Sequence, residues 1–208
     1  MFSKTQKHIS PMPWNKGKLI GQKSPLSMQD IWSIRMKLQN ECRLRDLALF
    51  NLALDSKLRA CDLLNLRLSD VSNGDTVNNR ATVMQKKTGR PVRFEITRKS
   101  RKSLVDWIEH AGLKGSDYLF PSRIRESEHL STRQYSRMVS SWVAAIGLDP
   151  TAYGTHSMRR TKATLLYRRT KNLRAIQLLL GHSKLDSTVR YLGIEIDDAL
   201  EMSEQMDV

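Results

Sequence analysis

The sequence predicts a mainly α protein with a small antiparallel β-sheet, an α+β single domain, and three observations carry that reading. Apolar residues recur at helical spacing on both sides of one β-rich stretch. The strand and helix alternation that a parallel doubly wound sheet requires is missing, and the chain holds no internal repeat. With 208 residues, 39% of them hydrophobic, the chain can bury one core, whereas two domains would each be marginal.

Residues 1–25 are basic and broken by Pro11, Pro13, Gly17, Gly21 and Pro25, which predicts a flexible cationic arm. Its Lys4, Lys7, Lys16, Lys18 and Lys23 suit phosphate contacts and equally suit a solvated leader. Ser27 and Asp30 form an S-x-x-D cap ahead of Ile31, Ile34, Met36 and Leu38, so a first helix begins there. Leu44 to Leu54 reads as a strongly apolar helix, and Ala60 to Leu66 as a shorter one. From Thr76 to Ile96 the residues Val77, Thr82, Val83, Val92, Phe94 and Ile96 favour strands. Lys86-Lys87-Thr88-Gly89-Arg90-Pro91 interrupts them as a turn, giving a hairpin with a cationic tip. Helical periodicity returns through Leu104 to Ile108, Met138 to Ile146, Met158 to Tyr167, Leu173 to Leu180 and Ser187 to Leu192.

The chain carries 35 Lys and Arg against 21 Asp and Glu, a formal charge of +14, which favours a polyanionic partner such as nucleic acid. Residues 195–208 hold six acids, Glu195, Asp197, Asp198, Glu201, Glu204 and Asp207, and no Lys or Arg. The rest of the chain therefore sets 35 cations against 15 acids, and a basic body ends in an acidic tail. Cys42 and Cys61 lie within apolar helical patterns and read as buried thiols, with a disulfide between them as the alternative. Nothing resembles a secretory segment or a membrane span, so a reduced cytoplasmic setting is the expectation.

Three short stretches bear chemistry. His156-Ser157-Met158-Arg159 puts an imidazole and a guanidinium three apart, on one face of a helix, where both reach one anionic group. Taken alone the pair is also what a helix start with an exposed His and a solvated Arg looks like. Leu180-Gly181-His182 follows, in which Gly181 can end a helix in the left-handed conformation and turn His182 back toward a site. Thr188-Val189-Arg190-Tyr191 comes next, and a lone Tyr there is ordinarily half-buried packing.

In the order Arg59, Lys87, H-x-x-R at 156–159, L-G-H at 180–182 and T-V-R-Y ending at Tyr191, the sequence resembles the catalytic domain of tyrosine recombinases, the phage integrase family. The resemblance spans about Ser27 to Leu192, so the domain is expected over 26–192, followed by the acidic tail over 193–208. It implies a tyrosine recombinase fold with Arg59 opening a short helix and Asp62 steadying the site. Lys87, before Thr88-Gly89, matches the family's mobile lysine, with its neighbour Lys86 as the alternative. Tyr191 is then the nucleophile on a DNA phosphate, giving a 3′-phosphotyrosyl intermediate that a second 5′-hydroxyl reseals. The family also implies double-stranded DNA as partner, four protomers on two sites, accessory DNA-bending proteins, and a segment after the tyrosine that packs into a neighbour. Outcomes open to such an enzyme are integration, excision and inversion, including within mobile elements.

The chemistry explains the residue types. Attack on a phosphodiester builds charge on the non-bridging oxygens, and two planar, permanently charged guanidiniums, Arg59 and Arg159, suit that load without a metal or cofactor. A phenol with a pKa of about 10 must lose its proton on attack, for which His156 is the candidate base. Lys87 is the candidate acid for the 5′ oxygen, and His182 a weaker stabiliser through a hydrogen bond to the phosphate. Lys86, Arg90 and Arg160 are expected among the DNA-contacting cations, with Lys162 among further candidates. The separate helical domain that most family members carry ahead of the catalytic one has no counterpart in the short leader, a layout resembling the compact invertase-like recombinases of fimbrial phase variation. Two rival functions stand beside recombination: a catalytically idle DNA-binding regulator of the same fold, and relaxation of supercoils in the manner of a type IB topoisomerase.

Overall fold

The capping pattern at Ser27 forms both of its bonds: Ser27 Oγ accepts from the Asp30 amide at 3.1 Å, and the Asp30 carboxylate accepts from the Ser27 amide at 2.8 Å. Helix α1, Met28–Asn40, follows and buries Ile31, Ile34 and Leu38. The computed structural model describes residues 22–74, 76–122, 127–194 and 204. The arm up to Gly21 and the acidic tail, Glu204 excepted, lie outside the described residues.

Helix α2, Leu44–Ser56, is buried from Asp46 to its end on every side, which makes it the pillar of the molecule. Its carboxylates survive burial because each is paired. Asp46 accepts from Trp142 Nε1 at 3.2 Å, and Asp55 accepts from the Thr97 amide at 2.8 Å and from Lys162 Nζ at 2.6 Å. Between α1 and α2 the chain turns through Cys42 in the left-handed region (φ 51°). That overturns the helical, buried placement expected of this thiol: Cys42 is exposed, Cys61 is half-buried, and both are free. The polar run Asn40-Glu41 offers the turn nothing to bury, so the residue that reverses the chain stays at the surface.

Two short helices, α3 (Ala60–Leu64) and α4 (Leu68–Val71), lead into a two-residue ribbon, β1 (Ser72–Asn73) with β2 (Thr76–Val77). The hairpin read between Thr76 and Ile96 is narrower than expected, β3 (Arg80–Met84) against β4 (Pro91–Glu95), with Ala81 opposite Phe94 and Val83 opposite Val92. Helices α5 (Arg98–Ala111), α6 (Thr132–Ala144), α7 (Thr155–Thr170), α8 (Leu173–Leu180) and α9 (Leu185–Leu192) complete the described elements. Phe50 and Tyr135 meet Trp142 edge-on, with ring centroids 5.6 and 6.2 Å away, in the main core of α1, α2, α5 and α6.

A smaller apolar cluster lies under the last three helices: Ala163, Tyr167, Ile176, Leu180 and Leu192. Helix α7 serves both clusters, sending Met158 into the main core and Ala163 and Tyr167 into the satellite. It is therefore buried around most of its circumference, which suits a helix whose first turn must hold functional groups rigidly. A strap over residues 22–26 crosses α7 and α9 and ties them together. Gln22 Nε2 donates to the Arg190 carbonyl at 2.7 Å, the Ser24 amide to Ala152 O at 3.0 Å, and the Leu26 amide to Thr161 Oγ1 at 2.9 Å. Residues 22–25, the described end of the expected arm, thus lie against the domain. Among the described residues no helix is long and apolar enough to cross a membrane.

Candidate active site

Arg59 stands immediately before α3 in extended backbone, so its side chain leaves the helix start while its carbonyl accepts the amides of Asp62 and Leu63. Asp62, one turn on and 5% exposed, points its carboxylate back. One oxygen accepts the Lys86 amide at 2.9 Å, and the other stands 3.9 Å from Arg59 Nη1. The hairpin turn is thereby pinned to the Arg59 helix. Of the two lysines, Lys86 donates from Nζ to Asn65 Oδ1 at 2.9 Å, whereas Lys87 is exposed and makes no hydrogen bond among the described residues. Arg90 is exposed in the same turn.

The first turn of α7 supplies His156, exposed at the rim, and Arg159, which is 3% exposed. Arg159 Nη2 donates to the Leu180 carbonyl at 2.8 Å, while its Nη1 is buried and, among the described residues, has no partner in good hydrogen-bond geometry. Leu180 ends α8, and Gly181 takes the left-handed conformation (φ 67°) that turns the chain to His182. Close approach demands the glycine as well: a Cβ there would stand 2.5 Å from Val92 Cγ2. His182 Nδ1 meets the buried Thr188 hydroxyl at 3.1 Å, and its ring lies edge-on to Tyr191, centroids 5.4 Å apart. The Tyr191 oxygen is buried and, among the described residues, meets no donor in good hydrogen-bond geometry, although Arg159 acts on it by charge and hydrogen bonding and holds its guanidinium carbon 5.9 Å from the ring centroid.

Burial first, and then the charge concentrated here, governs the titrations. Burial, then Arg159 and Arg59, pushes His182 down to about 4, so this imidazole is neutral at physiological pH. His156 is lowered too, by burial first and then by Arg159, Arg59, Arg160 and Lys87, which puts those four cations within electrostatic reach of one ring. For Tyr191 burial outweighs Arg159, Arg160 and Arg59, so the phenol is raised and stays protonated at rest. Among the described residues no group of three His, Cys, Asp or Glu comes together as metal ligands. What the site can hold is an anion with several oxygens.

Two cations expected to meet DNA are turned inward. Arg160 is 7% exposed, donates from Nη1 to the Lys23 carbonyl at 2.8 Å, and sits with its guanidinium carbon 5.7 Å from the Tyr191 ring centroid. One residue beyond Arg159 on the helix, it faces the strap and α9 rather than solvent. Lys162 is bound to Asp55 at 2.6 Å and Glu95 at 2.5 Å. Sequence reasoning also missed Gln85, 1% exposed at the base of the hairpin turn, which accepts from Arg59 Nη1 at 2.7 Å. Its signal was present: continuing the alternation of Ala81 and Val83, residue 85 falls on the inward face of the strand.

Comparison with known proteins shows the family and the fold. The sequence model described as "Phage integrase family" matches residues 23–195. The probable integrase/recombinase YoeC of Bacillus subtilis is 31% identical over 171 residues, covering 82% of this chain and 89% of that protein. A tyrosine recombinase of Pseudothermotoga lettingae is 32% identical over 170 residues, of which it shares 82% of this chain but 55% of its own length. This chain therefore spans about half of that longer relative. The crystal structure of XerA recombinase superposes with a TM-score of 0.72 over 90% of this chain and 66% of that one, at 22% identity.

Proposed function

The chain belongs to the phage integrase family, and from that membership we propose that it is a site-specific DNA recombinase acting through a 3′-phosphotyrosyl intermediate. The observation that carries the reading is that the Tyr191 oxygen and Arg159 Nη1 are both buried and, among the described residues, both lack a partner in good hydrogen-bond geometry, while Arg159, Arg160 and Arg59 all act on that phenol. A reactive oxygen and an oxyanion donor left open to each other are what an attacked phosphodiester would engage.

In this reading Arg59 and Arg159 hold the non-bridging oxygens, and His182, with Nδ1 committed to Thr188, offers its other ring nitrogen. The Tyr191 oxygen bonds to phosphorus as the bond to the 5′ oxygen breaks. His156, its proton disfavoured by burial and then by the surrounding cations, takes the phenol proton, and Lys87 gives one to the departing 5′ oxygen. The products are a tyrosyl 3′-phosphate and a free 5′-hydroxyl, and a hydroxyl from a second strand reverses the step. The basic body supports duplex DNA as partner, Lys86 and Arg90 flank the site as backbone contacts, and cytoplasmic action at the nucleoid follows from that substrate. Assembly of four protomers on two sites, with the acidic tail packing into a neighbour, belongs to the same proposal.

The test uses nicked suicide duplexes with randomised arms, in which cleavage frees a short strand and traps the adduct. Wild type is expected to form a detergent-resistant protein–DNA adduct, and Tyr191→Phe to form none while binding the duplexes with unchanged affinity, since only the attacking oxygen is lost. Absence of any adduct from wild type would remove the enzyme reading.

A further inference from the structure

We propose that Gln85 is a positioning residue that fixes both arginines of the site and the lysine-bearing turn as one unit, an inference that rests on the recombinase reading. A primary amide at 1% exposure, next to a strand whose inward neighbours are apolar, costs stability unless every bond it makes is used. Gln85 uses both ends. Its Oε1 accepts from Arg59 Nη1 at 2.7 Å and from Thr88 Oγ1 at 2.9 Å, and its Nε2 donates to the Leu180 carbonyl at 3.3 Å.

The Leu180 carbonyl is the same atom that accepts Arg159 Nη2 at 2.8 Å. One side chain thus links Arg59 on the α3 side to the end of α8, where Arg159 is held, across 95 residues of sequence between Gln85 and Leu180. Arg59 spends Nη1 on the amide and Arg159 spends Nη2 on the carbonyl, so each guanidinium is oriented by an internal bond before DNA arrives. The backbone of Gln85 does the rest: its amide donates to Arg90 O at 3.0 Å and its carbonyl accepts the Gly89 amide at 2.8 Å, closing the turn that carries Lys86 and Lys87. Gly181 completes the seat, since a Cβ there would come within 3.3 Å of Gln85 Nε2.

Gln85→Met keeps the length of the side chain and removes its hydrogen bonds, and Gln85→Asn keeps the amide but is too short to span from Arg59 to Leu180. Both are expected to bind the randomised suicide duplexes with wild-type affinity and to melt as folded proteins. Both should cleave about 10- to 100-fold more slowly at saturating DNA. The deciding arm replaces the 5′ bridging oxygen by sulfur, which leaves without protonation because a thiol has a pKa of about 8.5. That substrate should restore cleavage by Lys87→Ala and should not restore Gln85→Met, whose defect lies in the guanidiniums. Recovery of Gln85→Met on the sulfur substrate would reduce Gln85 to a support of the turn, and wild-type cleavage by either variant on ordinary DNA would likewise overturn the proposal. No adduct from wild type would instead sink the recombinase reading itself, so the two failures are told apart.

Discussion

His182 sits where burial and two guanidiniums all oppose a proton, and its depressed titration has a consequence for stability. Unfolded, the ring has a pKa of about 6.5, so as pH falls below that value the unfolded chain binds a proton that the folded chain refuses until about 4. Stability is therefore lost as pH falls through this window, and His156, shifted the same way, adds to the loss. Asp55 and Glu95, whose carboxyls are lowered, add theirs only below the ordinary carboxylate range of about 4. The urea midpoint should drop between pH 7 and pH 5, and His182→Gln, which keeps a partner for Thr188, should make that drop shallower. An equal drop in the variant would mean that the ring titrates normally.

At the scale of elements, the nucleophile rides on α9, eight residues long and too short to persist without packing. Its support is the satellite cluster, through Leu192 at 7% exposure, and not the main core. Leu192→Ala should lower the protection of α9 amides by about 2 kcal/mol in hydrogen exchange while leaving α2 unchanged. An equal loss in α2 would show that both clusters open together. This division could not be read from the sequence, because α7 and α9 look there like further helices of one bundle. What was legible follows from local physics: the cap at Ser27, the helical spacing of the apolar residues, and Gly181 turning His182 back. Cys42 was misread because it lies between two apolar helical stretches, and spacing does not register a single left-handed residue.

For the whole molecule, the excess of cations was legible as a sign but not as a map. Arg160 and Lys162, expected among the DNA-contacting cations, and Lys57, counted only in the net charge, are spent inside the protein on the Lys23 carbonyl, on Asp55 and on Glu95. The order of Arg59, Lys87, His156, Arg159, His182 and Tyr191 was read through the resemblance to tyrosine recombinases, in residue types that suit phosphate chemistry. Gln85 and Gln22 were not, since their work is done on backbone carbonyls and on another residue's guanidinium, contacts that exist only once distant segments meet.

The bonds from Gln22 and Lys23 to α9 and α7 reach further than the strap itself. A polypeptide trimmed to begin at Ser27, the natural place to cut by the capping pattern, would lose the anchor on the Arg190 carbonyl and the acceptor that steers Arg160 past the Tyr191 ring. Such a shortened protein should still melt cooperatively, yet form adduct about 10- to 100-fold more slowly, because a reacting group displaced by an ångström forfeits that much. Undiminished speed would show the tether to be idle. Whoever prepares the minimal domain would otherwise mistake a slack nucleophile for a sluggish enzyme.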